Sequence, residues 1–327
     1  MGFKRGFTNS STRDRTLGEL HVRWGEKIWF DGELIPFSEA KVHVMMHTLH
    51  YGVGVFEGMR AYRLDDGTPG IFRLEEHLKR FAFSARAYKL ELPYTLEELK
   101  KAVIETVRAS GFGDCYIRPI AFINLTQIGL YPSERRLSVA IGVLEWGKYL
   151  GKAYERGARV ATVRWRRPPP DVLPANAKAI GNYLNSYLAT LEARERGFDE
   201  ALMLDHRGFV SEGPGENVFL VKNGRALTPP VHASILPGIT RGTVMVLLRE
   251  KLGLSVEERD ITLGMLYDAD ELFFVGTAVE VTPIVEVDGI TIGNGQPGSI
   301  TRRLQKLYED AVRGRVEEYR GWITRVE

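Results

Sequence analysis

The residue whose surroundings point most directly to chemistry is Lys178, in the segment Ala177–Tyr183. Its neighbours are mostly small or apolar, and such surroundings lower the pKa of a lysine. The free amine is then nucleophilic toward carbonyl groups. An ordinary lysine in the first turn of a helix fits the same segment, so this motif alone leaves both interpretations open.

A second candidate is the pair of carboxylates in the Gly/Pro-rich segment Ser211–Asn217. Glu212 or Glu216 could face a protonated ring nitrogen and balance its positive charge. A solvated turn between two strands explains the same residues. The segment therefore indicates a function only in company with other motifs.

Two further segments could hold an anion. Residues 236–242 place a glycine turn before a helix, whose first N–H groups and dipole favour phosphate. Residues 276–283 place a Gly-Thr pair between two strands, where a hydroxyl and two amides could hold phosphate or a carboxylate. An ordinary helix start and a β-bulge are the respective alternatives.

Other classes of site are weakly supported. His43, His47 and His50 could share one helical face, but no nearby carboxylate or cysteine completes a metal site. The glycines from Gly52 to Gly58 lack the spacing of a dinucleotide-binding loop. We therefore predict no metal and no Rossmann-type nucleotide site.

The composition is that of a globular protein. The chain has 327 residues, 44% hydrophobic and 26% charged, with a formal net charge of only +2. Neither nucleic acid nor an acidic membrane is expected as a partner. The single cysteine, Cys115, excludes a disulfide within the chain, and with no signal peptide or membrane segment recognised we predict a cytoplasmic protein. The run of Arg164, Arg166 and Arg167 is interpreted as a solvated loop.

The motifs must be positioned by strands and helices that the pattern also predicts. An apolar stripe indicates a helix from Leu74 to Tyr88, and Thr95 with Glu98 forms a capping box for the next helix. A helix over residues 178–196 is expected to begin at Lys178. We predict an N-terminal arm (1–25), a small open α/β domain (26–150) and a larger barrel-like α/β domain (151–327), the last opening with the linker between the domains.

In order and spacing, these motifs resemble the branched-chain amino-acid aminotransferases, which are fold-type IV enzymes dependent on pyridoxal 5′-phosphate (PLP). The likeness runs from about Ile28 to near the C-terminus. It includes His47–Gly52, Val55–Arg60, Tyr116–Pro119, Glu145–Gly151 and the four segments above. The resemblance implies a two-domain α/β fold with PLP between the domains.

The resemblance also implies roles at the cofactor. Lys178 is expected to hold PLP as a Schiff base and to shuttle a proton between the substrate α-carbon and C4′ of the cofactor. Glu212 is expected to pair with the pyridine nitrogen, and Tyr183 to hydrogen-bond the ring hydroxyl. The remaining cofactor contacts implied are Leu236 on one ring face and Arg80, Ile239, Thr240 and Thr277 at the phosphate.

For the substrate, the resemblance implies an apolar pocket with a carboxylate site. Tyr116, Thr277 and Ala278 are expected to hold the α-carboxylate, and Arg118 to meet the distal carboxylate of glutamate. The implied pocket walls are Tyr51, Phe56 and Tyr149, with Gly58 leaving room.

Together these roles describe an enzyme that moves the amino group of leucine, isoleucine or valine to 2-oxoglutarate. A D-amino-acid or (R)-amine transaminase, or a PLP lyase, shares the fold type and is the alternative. A non-enzymatic binding protein on this fold would be expected to lack Lys178 or Glu212, and both are present. The partners implied are amino acids, 2-oxo acids and a second copy of the chain, with the loop Gln127–Pro132 reaching toward that neighbour.

Overall fold

Two β-sheets and their flanking helices make up the structure. It is a computed structural model that describes residues 15–17 and 20–327. The first sheet has ten strands and the second has eight. The α/β fold class predicted from the sequence is confirmed, because helices and strands alternate along the chain.

The first sheet is built from the N-terminal part of the chain and one strand from its end. Its strand order is β1-β2-β9-β8-β6-β7-β18, with β3 pairing β4 and β9, and β5 pairing β8. The strands are β1 (Arg15–Leu17), β2 (Leu20–Trp24), β3 (Lys27–Phe30), β4 (Glu33–Pro36), β5 (Gly54–Phe56), β6 (Met59–Arg63), β7 (Pro69–Phe72), β8 (Cys115–Phe122), β9 (Ser138–Trp146) and β18 (Ile323–Arg325).

The second sheet mixes parallel and antiparallel pairs. Its order is β11-β10-β16-β15-β12-β13-β14, with β17 on β16, and the three parallel pairs are β10–β11, β10–β16 and β13–β14. The strands are β10 (Ala158–Thr162), β11 (Glu200–Leu202), β12 (Asn217–Lys222), β13 (Arg225–Thr228), β14 (Ser255–Glu258), β15 (Glu271–Gly276), β16 (Glu280–Val287) and β17 (Ile290–Thr291).

Helices lie against both sheets. They are α1 (His47–Tyr51), α2 (Leu74–Ala87), α3 (Leu96–Ser110), α4 (Ala153–Arg156), α5 (Tyr183–Glu195), α6 (Ile239–Glu250), α7 (Leu263–Tyr267) and α8 (Ser299–Val312). Single 3-10 turns occur at Phe37–Glu39, Val231–Ala233 and Glu317–Trp322. No helix in the described part of the chain combines the length and apolar character needed to cross a membrane.

The long helices of the first sheet follow from its sequence pattern. Helix α2 buries Leu74, Leu78 and Phe81, which recur at three- and four-residue steps, in the core beneath the first sheet. Helix α3 begins at the predicted capping box: the Thr95 hydroxyl accepts from the backbone N of Glu98, and the Thr95 backbone N donates to the Glu98 carboxylate over 2.7 Å.

A shared core joins the two sheets. Tyr62 of β6 and Phe72 of β7 are buried in one apolar cluster with Val244 and Leu247 of α6 and Leu304 of α8. Burial at this junction is driven by the hydrophobic effect, which favours removing all of these side chains from water together. This cluster packs β6 and β7 of the first sheet against helices α6 and α8.

Three local expectations differ from the structure. Residues 15–17 and 20–24, within the predicted N-terminal arm, form β1 and β2 and belong to the first sheet. Residues 1–14, 18 and 19 of that arm lie outside the described residues. Lys178 does not begin a helix, since α5 starts at Tyr183. The sequence also predicts a short strand over Phe209–Ser211, but the structure has only a single bridge there, between Leu204 and Val210. The predicted division of the chain at residues 150 and 151 stays a prediction.

Thr95→Ala should destabilise the protein by about 1 kcal/mol, because it removes the hydroxyl that satisfies a free N–H group at the start of α3. Thr95→Ser keeps that hydroxyl and is the matched control. Urea denaturation of both variants measures the difference. Equal free energies of unfolding for Thr95→Ala and wild type would show that the capping box adds nothing to stability.

Candidate functional site

One cavity is lined by residues of both sheets. Strands β5, β8 and β9 contribute from the first sheet, and the ends of β12 and β15 contribute from the second. Every site residue predicted from the sequence lines this cavity except Tyr51. Those lining it are Phe56, Gly58, Arg80, Tyr116, Arg118, Tyr149, Lys178, Tyr183, Glu212, Leu236, Ile239, Thr240, Thr277 and Ala278.

The backbone of Lys178 is fixed by pairing with the first sheet. Its carbonyl accepts from the backbone N of Phe56 over 3.0 Å, and its own N donates to the hydroxyl of Ser84 on α2 over 2.9 Å. Two residues on, the N of Ile180 donates to the carbonyl of Gly54. The side chain of Lys178 therefore leaves an extended segment held from two sides.

The amine of Lys178 lies in an apolar and aromatic environment. Its Nζ donates to the hydroxyl of Tyr183 over 2.7 Å and is 5.0 Å from the centre of the Phe56 ring. Burial, with the nearby positive charge of Arg80, lowers the pKa of Lys178 to about 8. An amine titrating this close to neutrality can act as a base or a nucleophile.

Glu212 is the buried carboxylate of the site. Its Oε2 accepts from Asn217 Nδ2 over 3.0 Å and from the backbone N of Leu236 over 3.1 Å. Its Oε1 pairs with Arg167 Nη2 over 3.0 Å. Burial raises the pKa of Glu212 to about 7, although the charge of Arg167 acts in the opposite direction. The carboxylate thus lies in a place where one further positive group would favour its charged form.

Glu216, the other carboxyl of the turn, has a different environment. It is also buried, and burial together with the neighbouring Glu200 carboxyl raises the pKa of Glu216 well above its ordinary value. Its Oε2 accepts only from the N of Gly215 among the hydrogen bonds of the described residues. Because this shift makes Glu216 release its proton less readily, Glu212 is favoured as the carboxylate that balances a cation.

Arg167 is a site residue that the sequence analysis missed. It was interpreted as part of a solvated loop, which was wrong for this residue: it is only 6% exposed, while Arg164 and Arg166 are exposed as expected. The segment between β10 and Lys178 passes close to Glu212, so the guanidinium of Arg167 is buried against that carboxylate. No local pattern in a run of arginines and prolines carries that information.

A candidate anion site lies at the start of α6. Its N-cap, Gly238, makes no side-chain capping bond, so the first N–H groups of the helix, from Ile239 and Thr240, remain to be satisfied. Arg80 reaches this helix entrance from α2, donating from Nη1 to the carbonyl of Pro237 over 3.1 Å. One cavity is thus lined by the four residues predicted to contact the phosphate, Arg80, Ile239, Thr240 and Thr277.

Aromatic side chains form another wall. The ring of Tyr116 meets Trp146 edge-on at 5.0 Å between centres, and Trp146 meets Tyr149 in the same way at 5.4 Å. Trp146 had no predicted role, although it lay in a quoted motif. A Cβ on Gly58 would stand 1.9 Å from the Tyr116 hydroxyl, so glycine leaves room for that side chain at the cavity.

Arg118 is the cation of this wall. Its guanidinium lies 4.6 Å from the centre of the Phe56 ring, and its Nη2 donates to the Tyr116 hydroxyl over 3.1 Å. Its Nε is buried without a hydrogen-bond partner in the structure. Because an unsatisfied buried charge group is costly, this arginine is suited to receive an anionic ligand group.

Tyr51 lies outside the cavity of this chain, contrary to the prediction. Its hydroxyl accepts from the backbone N of Gly129, and the nearby ring of His47 bonds the carbonyl of the same residue. Helix α1 is thereby fastened to the loop of residues 127–132 instead.

Within the described residues no cluster of three or more histidine, cysteine or acidic side chains has metal-binding geometry.

Comparison with known proteins places the chain among enzymes of one family. Residues 54–287 match the amino-transferase class IV family. The branched-chain-amino-acid aminotransferase of Pseudomonas aeruginosa is 45% identical over 92% of this chain and 97% of its own.

Solved structures agree. That of a branched-chain aminotransferase from the thermophilic archaeon Thermoproteus uzoniensis with norvaline has a TM-score of 0.88 and 48% identity, covering 93% of this chain and 100% of that one. The T.th. branched-chain amino acid aminotransferase, complexed with N-(5′-phosphopyridoxyl)-L-glutamate, has a TM-score of 0.88 and 43% identity, covering 93% and 99%.

The chain belongs to the class IV aminotransferases, so it is a transferase with the fold-type IV architecture. Within that family its relatives are branched-chain amino-acid aminotransferases, and the resemblance predicted from the sequence is confirmed.

Glu212→Gln should change how the stability of the ligand-free protein depends on pH. Folding raises the pKa of Glu212 from its ordinary value of 4.5 to about 7, so the folded state binds this proton more tightly than the unfolded state. The stability contributed by the group is therefore complete below its unfolded pKa and is lost as the pH rises through its folded pKa. Urea unfolding from about pH 5 to about pH 8 should show wild type losing stability relative to Glu212→Gln; parallel profiles would contradict the assignment.

Proposed function

We propose that this enzyme moves the amino group of L-leucine, L-isoleucine and L-valine to 2-oxoglutarate by a ping-pong reaction on PLP held by Lys178. The observation that carries the proposal is one cavity that joins a buried amine, a buried carboxylate, an anion site and an aromatic wall. Each of these parts has a chemical counterpart in the cofactor or in the substrate.

The cofactor is PLP, and the residues present fit it. The free N–H groups at the start of α6 suit a phosphate. Glu212 suits a protonated ring nitrogen, because its raised pKa reflects a buried carboxylate short of positive charge. The hydroxyl of Tyr183, beside Lys178, suits the ring hydroxyl, and Leu236 offers an apolar surface to the ring face.

When bound, PLP supplies an electron-poor ring that stabilises negative charge at the substrate α-carbon. Lys178 acts as the base that removes the α-proton and then returns it at C4′ of the cofactor. Its lowered pKa supports this role, since a proton carrier is most efficient when its pKa is near the working pH. The pairing of residues 178–180 with β5 keeps the amine on a fixed segment during both transfers.

Glu212 keeps the ring nitrogen protonated, with its own orientation set by neighbours. Asn217 and the N of Leu236 hold one oxygen, and Arg167 holds the other. A carboxylate held in this way needs little reorganisation when charge develops in the ring, which is the usual source of electrostatic catalysis.

The aromatic wall favours branched aliphatic side chains. Leucine, isoleucine and valine would bury apolar surface against Phe56, Trp146 and Tyr149, at about 0.8 kcal/mol per CH₂ group. Alanine would bury far less. Tyr116 with the Thr277–Ala278 turn is proposed to hold the α-carboxylate.

Glutamate and 2-oxoglutarate need a second anion site in the same pocket. Arg118 is proposed to supply it, because its Nε lacks a partner and its guanidinium faces the ring of Phe56. Burying an unpaired carboxylate is expensive, so an arginine at this place would allow one pocket to accept both substrate types.

We also propose that the enzyme works in the cytoplasm as a homodimer or larger homo-oligomer. The loop of residues 127–132 supports this, since Ile128, Leu130 and Tyr131 are largely exposed apolar side chains next to the region fastened to Tyr51. Such a surface is typical of a protein interface. In an oligomer this loop and Tyr51 would serve the neighbouring pocket.

Borohydride should fix PLP onto Lys178, because reduction makes the bond between cofactor and lysine permanent. The purified protein should absorb visible light before treatment, and peptide mapping should find the label on residues 177–183. Lys178→Ala should remain unlabelled. A label on another lysine would refute the catalytic assignment.

L-Leucine, L-isoleucine and L-valine should lead a panel of amino donors with 2-oxoglutarate as acceptor. Arg118→Ala should lower kcat/KM for glutamate and 2-oxoglutarate at least about tenfold more than for leucine, because only the former bring a second carboxylate. Steady-state kinetics of both half-reactions measures the split.

Arg118→Lys, which keeps the charge, is the matched control and should lose less of the glutamate activity. Equal losses for both substrate types would move Arg118 to the α-carboxylate site. Faster turnover of D-alanine or an (R)-amine than of L-leucine would instead support the alternative transaminases, and loss of the amino group without an acceptor would support a lyase.

A further inference from the structure

A buried carboxylate next to the cavity has had no role so far. Glu57 follows Phe56 between β5 and β6 and is fully buried. Its Oε1 accepts from Arg80 Nε over 2.6 Å, and its Oε2 accepts from Arg80 Nη2 over 2.9 Å. This two-point contact is the strong geometry for an arginine and a carboxylate.

Two further donors complete the environment of Glu57. His77 Nδ1 lies 2.8 Å from Oε2, and the backbone N of Gly58 donates to the same oxygen over 3.1 Å. Burial lowers the pKa of His77 and so favours its neutral ring. Because an ionised carboxylate only accepts hydrogen bonds, Nδ1 is the donor in this contact. Burial alone would raise the pKa of Glu57, but the charge of Arg80 and the bond from His77 outweigh it and hold that pKa well below its ordinary value.

The contacts of Arg80 leave a defined part of the guanidinium available. An arginine has five N–H donors. Glu57 takes two of them, and the carbonyl of Pro237 takes a third. One N–H on Nη1 and one on Nη2 remain, and Arg80 lines the cavity together with Ile239 and Thr240 at the start of α6.

We propose that Glu57 is a positioning residue that orients Arg80 toward the phosphate of PLP. The inference rests on the proposed function insofar as PLP is the ligand of this cavity. Glu57 does not touch the cofactor in this arrangement; it acts through Arg80. Its carboxylate holds the Nε and Nη2 side of the guanidinium. The rest of the guanidinium is thereby kept oriented toward the start of α6.

Charge pairing gives Glu57 a second effect. The Arg80 side chain is 11% exposed, so its charge lies largely out of water, and an unpaired buried cation would be strongly destabilising. With Glu57 present, the charge of Arg80 is balanced, and the guanidinium is already oriented before the cofactor binds. A ligand that meets a preorganised group loses less free energy to ordering that group.

The test compares cofactors with and without a phosphate. Full-length Glu57→Gln, stripped of cofactor, is titrated with PLP and separately with pyridoxal, and binding is followed by the absorbance of the lysine-bound aldehyde. The glutamine amide turns a donor toward groups that also donate, so PLP affinity should fall at least about tenfold. Pyridoxal affinity should stay within about twofold, because pyridoxal has no phosphate for Arg80.

Glu75→Gln is the matched control, since Glu75 is an exposed carboxylate on α2, the helix that carries Arg80, and pairs with Lys79. It should leave both affinities unchanged. In an Arg80→Ala background, adding Glu57→Gln should alter PLP affinity by less than about twofold, because the residue acts only through Arg80.

Three results would overturn the proposal. Equal losses for PLP and pyridoxal would mean that Glu57 supports the fold and not the phosphate site. Unchanged PLP affinity in Glu57→Gln would mean that Arg80 needs no orientation. A further large loss in the Arg80→Ala background would mean that Glu57 acts by another route. None of these depends on turnover, so a wrong substrate assignment would leave the measurement intact.

Discussion

The site depends on one short stretch of strand-like pairing. Residues 178–180 lie beside β5, with hydrogen bonds between Phe56 and Lys178 and between Ile180 and Gly54. This contact attaches the segment that carries the reactive amine to the first sheet, although that segment belongs to the later part of the chain. A Cβ at Gly54 would come within 2.6 Å of the Ile180 side chain and 2.8 Å of a backbone oxygen, so the pairing requires glycine there.

Charge in the cavity is arranged in pairs around this lysine. Arg80 is held by Glu57, and Glu212 is held by Arg167, so both of these buried groups have a partner of opposite charge from a distant part of the chain. Pairing makes burial tolerable, and burial in turn shifts the pKa of Lys178 downward and that of Glu212 upward. The same desolvation therefore brings a base and an acid close to neutrality from opposite directions.

Features carried by contiguous residues could be predicted from the sequence. The capping box at Thr95, the apolar stripe of α2 and the glycine turn before α6 depend on neighbours within a few positions, where local physics dominates. The resemblance then related the separate motifs to one another. The residues assigned through the resemblance nearly all line one cavity in the structure.

What could not be predicted depends on where the chain passes in three dimensions. The burial of Arg167 follows from the path of a proline-rich segment. The hydrogen bonds from Arg80 to Glu57 join α2 to the residues after β5, and no periodicity in the sequence predicts that contact. Tyr51 was expected in the pocket because the family resemblance implied it. Its hydroxyl is instead engaged by Gly129, from the loop of residues 127–132.

The last strand has a consequence for the order in which the protein can be completed during synthesis. Strand β18 pairs with β7 at the edge of the first sheet, and the carbonyl of Trp322 accepts from the backbone N of Arg73, directly before α2. A nascent chain folds from its N-terminus as it leaves the ribosome. The edge strand β7, directly before the helix that carries Arg80, therefore stays without this partner until residues 323–325 have been made, long after the other strands of the first sheet.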